Sequence, residues 1–135
     1  MSTARLIQEF KELVRIDSVS FAEGPFQREL IQRFQALGLT IEEDTSKEKT
    51  GLGANNFIAR LEGDASVEPL FFSSHMDTVS PGQGIQPRER DGRIESDQTT
   101  ILGADDKAGI AIMLEVIKRL KEQQIPHGPL EFILT

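Results

Sequence analysis

The sequence has no cysteine, no tryptophan and no tyrosine. Without cysteine, disulfides and thiolate metal sites are excluded, so any metal here is held by His, Asp and Glu. Without Trp and Tyr, the aromatics reduce to 8 Phe, which disfavours stacking platforms for bases or sugars. No apolar run approaches the ~18 residues of a membrane span. Residues 1–17 lack the apolar core of a signal peptide and read as an amphipathic helix instead. Basic residues are the scarcer charge: 15 Lys and Arg against 22 Asp and Glu leave a net charge of −7. That balance argues against nucleic acid, whose phosphates want clustered cations. The expectation is a cytoplasmic chain with neither nucleic acid nor membrane as a partner.

The 135 residues, 38% hydrophobic and 27% charged, are read as one domain, 1–135, long enough to bury its own core. Leu6, Phe10, Leu13 and Val14 recur at helical spacing up to Asp17, with Ser2 or Thr3 as the N-cap candidate. Glu23-Gly24-Pro25 opens a second helix with Phe26, Leu30, Phe34 and Leu37 as its stripe, closed by Gly38. Residues 39–43 alternate as a half-buried strand does, and the polar stretch 44–55 reads as a loop. Strands are predicted over 56–61 and 70–74, the second nearly all apolar and therefore central. Asp91-Gly92 marks a hairpin over 88–95. Ile110, Met113, Leu114, Ile117 and Leu120 predict a helix over 105–123, and 129–135 is a β-rich run. Helix and strand alternate, which predicts an α/β fold: a mostly parallel, mixed sheet with helices on both faces.

Two short acidic motifs fall where a strand ends or a helix begins. In Ser73-Ser74-His75-Met76-Asp77-Thr78-Val79, His75 and Asp77 are two apart at a strand end and project to the same side. A carboxylate beside a metal-ligating histidine fixes its tautomer and raises its basicity. A strand-end histidine satisfied by its neighbour, with no metal, gives the same pattern. In Gly103-Ala104-Asp105-Asp106-Lys107-Ala108-Gly109, the acidic pair precedes a helix whose free N–H groups and dipole favour negative charge. Capping explains that much, but the small residues on both sides allow closer backbone approach than a cap requires. Lys107 reads as a solvated first-turn residue with a carboxylate partner nearby. His127 precedes the last strand, at the end away from where ligand sites gather, and reads as structural or solvated. Thr50-Gly51-Leu52-Gly53-Ala54-Asn55 lacks the third glycine of a phosphate loop, and a strand follows it; it reads as a flexible loop. Pro81-Gly82-Gln83-Gly84 reads as a turn.

Together, Ser74-His75-Met76-Asp77-Thr78-Val79 with Pro81-Gly82 and Gly103-Ala104-Asp105-Asp106-Lys107-Ala108-Gly109 closely resemble the peptidase T-like branch of the dinuclear zinc exopeptidases. The similarity extends along the whole chain, to the Gly-Asn loop before Phe57 and to Ile125-Pro126-His127-Gly128. The resemblance implies that His75 ligates one zinc, that Asp77 orients His75 and supports catalysis, and that Asp105 bridges two zinc ions with a cis peptide after it. It implies an aminopeptidase or tripeptidase acting on short peptides. Members continue from a strand like 129–135 into a Glu-Glu pair that supplies the general base and a zinc ligand, then a further acidic ligand, a distal histidine and a lid domain. The chain is therefore expected to be the N-terminal part of a metallopeptidase catalytic domain, binding zinc at most partially and nearly inactive by itself. The run Leu130–Leu134 is expected to be a central strand whose onward partners are missing, and the apolar surface or sheet edge left uncovered is expected to drive self-association.

Two other functions fit the residues alone. A non-catalytic binding or regulatory domain would keep the fold and lose the chemistry. A magnesium-dependent phosphoryl-transfer or receiver-like domain would hold its cation with Asp77 and the Asp105-Asp106 pair and meet phosphate with Lys107.

Overall fold

A computed structural model describes residues 3–135. Of the two N-cap candidates, Ser2 lies outside the described residues. Phe10, Leu13 and Val14 are buried along one face of α1 (Thr3–Arg15). Pro25 sits in the first turn of α2 (Gly24–Ala36), where a missing N–H leaves no helical bond unmade, and Phe26, Leu30 and Phe34 are buried. β1 (Thr40–Glu43) follows. The predicted loop after it contains one helical turn, α3 (Ser46–Thr50). Asp44 Oδ1 satisfies both the Ser46 N–H, at 2.9 Å, and its hydroxyl, at 2.7 Å, which local composition does not announce.

β2 (Phe57–Leu61), β3 (Leu70–Ser74) and β6 (Leu130–Leu134) form one sheet with β1, in the order β1-β2-β6-β3. β4 (Arg88–Arg90) and β5 (Arg93–Glu95) make the expected hairpin, with Asp91 and Gly92 at φ 51° and 74°, both left-handed as a two-residue turn of this kind demands. The long helix α4 (Ala104–Glu122) joins that hairpin to β6. No helix of the described residues is long and apolar enough to cross a membrane.

The class is the expected one, a mixed α/β sheet with helices, but its details differ. β1–β2 and β2–β6 are antiparallel, and only β3–β6 is parallel. Parallel pairing needs a long crossover, and α4 lies in the connection between β3 and β6. The helices also share one face. Phe57, Ala59 and Leu61 stand opposite Leu134, Phe132 and Leu130 on that face, all six buried. They form one core with Leu13, Phe26, Phe34, Ile110 and Ile117. Phe34 stacks on Phe132 at 5.9 Å and meets Phe57 edge-on at 6.0 Å. Ile58, Arg60, Glu131 and Ile133, on the opposite face, are half-buried and belong to no helix-packed core. β6 is central, as expected, but it is paired on both sides, with β2 and with β3, and leaves no open edge of its own. β3 is not central: it lies at the sheet edge, with Leu70 60% and Phe71 70% exposed.

Candidate metal centre

Past Ser74 the chain leaves β3 but keeps extended pairing beside the end of β6. Thr135 N–H donates to Ser74 O at 3.1 Å and Met76 N–H donates to Thr135 O at 2.7 Å. Met76 turns into the core, only 2% exposed. Alternation then sends His75 and Asp77 to the opposite side, as their spacing predicted. His75 Nδ1 lies 2.9 Å from Asp77 O and 3.1 Å from Asp77 Oδ1. Both are acceptors, so Nδ1 carries a proton. The other nitrogen, Nε2, faces Asp105 Oδ1 at 2.9 Å. Burial pushes the His75 imidazole down. The hydrogen bonds to Asp105 and to the Asp77 backbone, with the two carboxylate charges, outweigh it and hold the imidazole above its ordinary value.

The acidic pair divides its work. Asp105 and Asp106 both depart from helical torsions (φ −91°, ψ 102° and φ −122°, ψ 33°), so regular helix begins only at Lys107. The peptide between them is cis, as the resemblance implies. Asp105 points outward, its side chain 95% exposed, toward His75. Asp106 points inward, where Oδ2 accepts from Ser74 Oγ at 2.6 Å and Oδ1 from Gly109 N–H at 3.3 Å. Asp106 is thus the capping residue and Asp105 the outward one. Gly109 follows from this arrangement: a Cβ there would stand 2.6 Å from Asp106 Oδ1.

Lys107 corrects an expectation. It is not solvated but 1% exposed. Its Nζ donates to Ile16 O and sits 4.3 Å from the centre of the Phe26 ring. Burial pushes the ammonium down to about 8, against the pull of the Asp17 charge. The sequence held a signal for this: Lys107 lies on the same helical stripe as Ile110, Leu114 and Ile117. With Lys107 inside and Asp106 engaged by Ser74, the grouping needed for a magnesium–phosphate site does not form. His127 is half-buried, its carbonyl accepting from Asp64 N–H at 2.8 Å ahead of β6, at the opposite end of that strand from Thr135.

Sequence reasoning missed Ser20. Its hydroxyl donates to Asp77 Oδ2 at 2.8 Å, a contact across 57 residues that no local pattern marks. Hollows flank Asp77 on two sides. One of about 450 Å³ is lined by Ser20, Phe21, Glu23, Asn56 and Asp77 among others. Another of about 360 Å³ is bordered by His75, Asp77, Gly103 and Asp105.

Imidazole nitrogen and carboxylate oxygen are what zinc takes when no thiolate is available. His75 Nε2 and Asp105 Oδ1 stand 2.9 Å apart, about half an ångström inside the roughly 3.4 Å between two tetrahedral ligands that each lie about 2.0–2.2 Å from one ion. The residues therefore fit the metal in kind. The described residues contain no cluster of three or more such side chains, so His75 and Asp105 are a partial donor set.

Residues 56–135 match the model of peptidase family M28. The chain is similar to aminopeptidase PepT from Bacillus cereus ATCC 10987, at 49% identity and a TM-score of 0.98 over 100% of this chain and 36% of that one. It is similar to a tripeptidase from Staphylococcus aureus subsp. aureus Mu50, at 48% identity and a TM-score of 0.96, again over 100% of this chain and 36% of that one. Peptidase T from Serratia proteamaculans (strain 568) is 30% identical over 100% of this chain and 34% of its own length. The chain thus spans about a third of the length of the curated relatives it matches.

Proposed function

Because the chain belongs to peptidase family M28, among the peptidase T-like zinc exopeptidases, we propose that it carries part of the active site of a zinc-dependent peptidase releasing N-terminal residues from short peptides. The observation that carries this reading is the convergence of His75 Nε2 on Asp105 Oδ1 with Asp77 behind the imidazole. When bound, zinc supplies an activated water and polarises the scissile carbonyl. His75 and Asp105 would hold it, Asp105 from a side chain that is 95% exposed. Asp77 holds the Nδ1 proton, so the proton that Nε2 gives to Asp105 in the metal-free chain is the one a metal ion would displace. The described residues hold no closed ligand cluster. We therefore assign the remaining ligands and the general base to residues outside these 135, and the chain alone hydrolyses peptides at close to the background rate. Short peptides as substrates follow the aminopeptidase and tripeptidase among its relatives.

Calorimetric titration of zinc into the chain tests the centre. Binding is expected in the parent, weakened more than about tenfold in His75→Ala and in Asp105→Asn. An isotherm indifferent to both substitutions sinks the reading. Where the gene continues past Thr135, a Glu-Glu pair within the next few codons is expected. Its absence, with zinc binding intact, leaves a non-catalytic metal-binding domain instead.

A further inference from the structure

The segment between α1 and α2 is pinned more firmly than a connection needs. Ser20 N–H donates to Thr78 O at 3.0 Å and Thr78 N–H donates to Ser18 O at 2.8 Å, a parallel bridge onto the strand extension that carries Asp77. Ala22 N–H closes a turn on Val19 O at 2.9 Å, and Phe21 N–H donates to Glu23 Oε1 at 2.9 Å. From beneath, Lys107 holds Ile16 O. Phe21, at the tip, has φ 75°. A bulky residue holds that torsion only where the surroundings dictate it. Gly53 supplies those surroundings: a Cβ on it would stand 2.5 Å from the Phe21 carbonyl carbon and 2.0 Å from Glu23 Oε2. The loop before β2 thus lies directly against the turn.

What this framework presents to the metal centre is one hydroxyl. Ser20 Oγ donates to Asp77 Oδ2 at 2.8 Å, while Oδ1 of the same carboxylate stands 3.1 Å from His75 Nδ1, whose hydrogen bond at 2.9 Å goes to the Asp77 backbone O. The Asp77 side chain is 42% exposed, so packing alone does not fix its plane. A donor on Oδ2 does. Serine suits this position because its short side chain on a pinned backbone loses little entropy. Being neutral, it leaves the carboxylate the charge that supports His75, which a lysine or arginine in its place would offset.

We propose that Ser20 is a positioning residue for the metal centre, holding Asp77 so that His75 keeps its proton on Nδ1 and turns Nε2 toward Asp105. The metal part of this rests on the zinc reading above; the hydrogen-bond part stands without metal. The test uses the full chain as parent, Ser20→Ala, Ser20→Thr and Ser20→Cys. In metal-free protein, ¹H–¹⁵N imidazole spectra are expected to show a protected His75 Nδ1–H in the parent and in Ser20→Thr. In Ser20→Ala that proton is expected to exchange severalfold faster with water, the bond to Asp77 O remaining, while the unfolding midpoint stays near the parent's. With zinc, Kd is expected to weaken about tenfold in Ser20→Ala and to recover in Ser20→Thr. Adding Ser20→Ala to Asp77→Ala is expected to weaken it no further.

A Nδ1–H signal unchanged in Ser20→Ala overturns the proposal, as does equal weakening in the Asp77→Ala background. If Ser20→Ala does not fold, Ser20→Cys, of similar shape but a poor donor, carries the same expectation. Should none of the proteins bind zinc while the Nδ1–H signal follows the Ser20 hydroxyl, the metal reading fails and the positioning role stands.

Discussion

Lys107 carries a charge into the core two residues beyond Asp105, and its cost is set by solvent loss that one carbonyl and one aromatic ring only partly offset. Its ammonium titrates at about 8 in the fold against an ordinary 10.5. Below pH 8 both folded and unfolded chains are protonated and the fold bears the full penalty. Above 10.5 both are neutral and the penalty vanishes. Between them the unfolded chain binds the extra proton, so stability rises with pH. Urea unfolding of the parent and Lys107→Met at pH 7.5 and 10.5 is expected to show the parent gaining up to about 3 kcal/mol relative to the variant; parallel pH dependences would contradict it. Residue-level legibility depended on range. The assignments of His75, Asp77 and Asp105 came from motifs a few residues long, and the structure brings those three together. The division between Asp105 and Asp106 is set by Ser74 across 32 residues, and Ser20 meets Asp77 only after two helices have packed. Neither contact leaves a mark in local sequence.

At the level of elements, α1 and α4 are joined through buried carboxylates as well as apolar side chains. Arg5 donates to both oxygens of Glu115, at 2.8 and 3.0 Å, and Arg119 donates to the same carboxylate at 2.6 Å. Glu9 likewise collects Arg33 from α2, at 2.7 Å, and Lys118 from α4. The hydrogen bond from Arg5, against the opposing effect of burial and with help from Arg119, holds Glu115 down to about 2. Its stabilisation is complete above the ordinary 4.5 and disappears as pH falls toward 2. Glu115→Gln is expected to lose about 1.5–3 kcal/mol at neutral pH. Its unfolding midpoint should converge on the parent's as pH drops from 4.5 to 2, and a gap that does not close would refute the assignment. The helices themselves were legible because their apolar stripes run 13 residues or more. α3 was not, since its five residues bury nothing and its start depends on the Asp44 side chain. The pairing sense of the sheet was also beyond local reading. Alternation gives each strand its buried face, whereas parallel or antiparallel pairing depends on which strand inserts between β2 and β3.

Across the whole molecule, the apolar run of β3 was legible but its position was not: a strand that reads as central stands at the edge of the sheet. Among the described residues β3 pairs on one side only, with β6. Its sequence, Leu-Phe-Phe-Ser-Ser, contains no charge, proline or glycine of the kind that guards such edges. Leu70 and Phe72 are 60% and 43% exposed on the face shared with Phe132, and Phe71 is 70% exposed on the other. Apolar side chains on both faces thus flank an edge whose outer backbone groups have no strand partner among the described residues. Opposing association is the net charge of −7, a long-range repulsion that salt screens over about 10 Å at 0.1 M. A short edge contact between apolar strands operates inside that distance, so salt is expected to promote pairing of two copies through β3. Light scattering of the 15.0 kDa chain at 0.1–0.3 M NaCl is then expected to give a mass above the monomer, rising with salt. Phe71→Lys, which places a charge on that edge away from His75 and Asp105, is expected to return the monomer while leaving zinc affinity as it was. A monodisperse monomer for the parent across that salt range would remove the edge as an association surface, whereas association that survives Phe71→Lys would move it to another part of the surface, such as the half-buried face around Ile58 and Ile133.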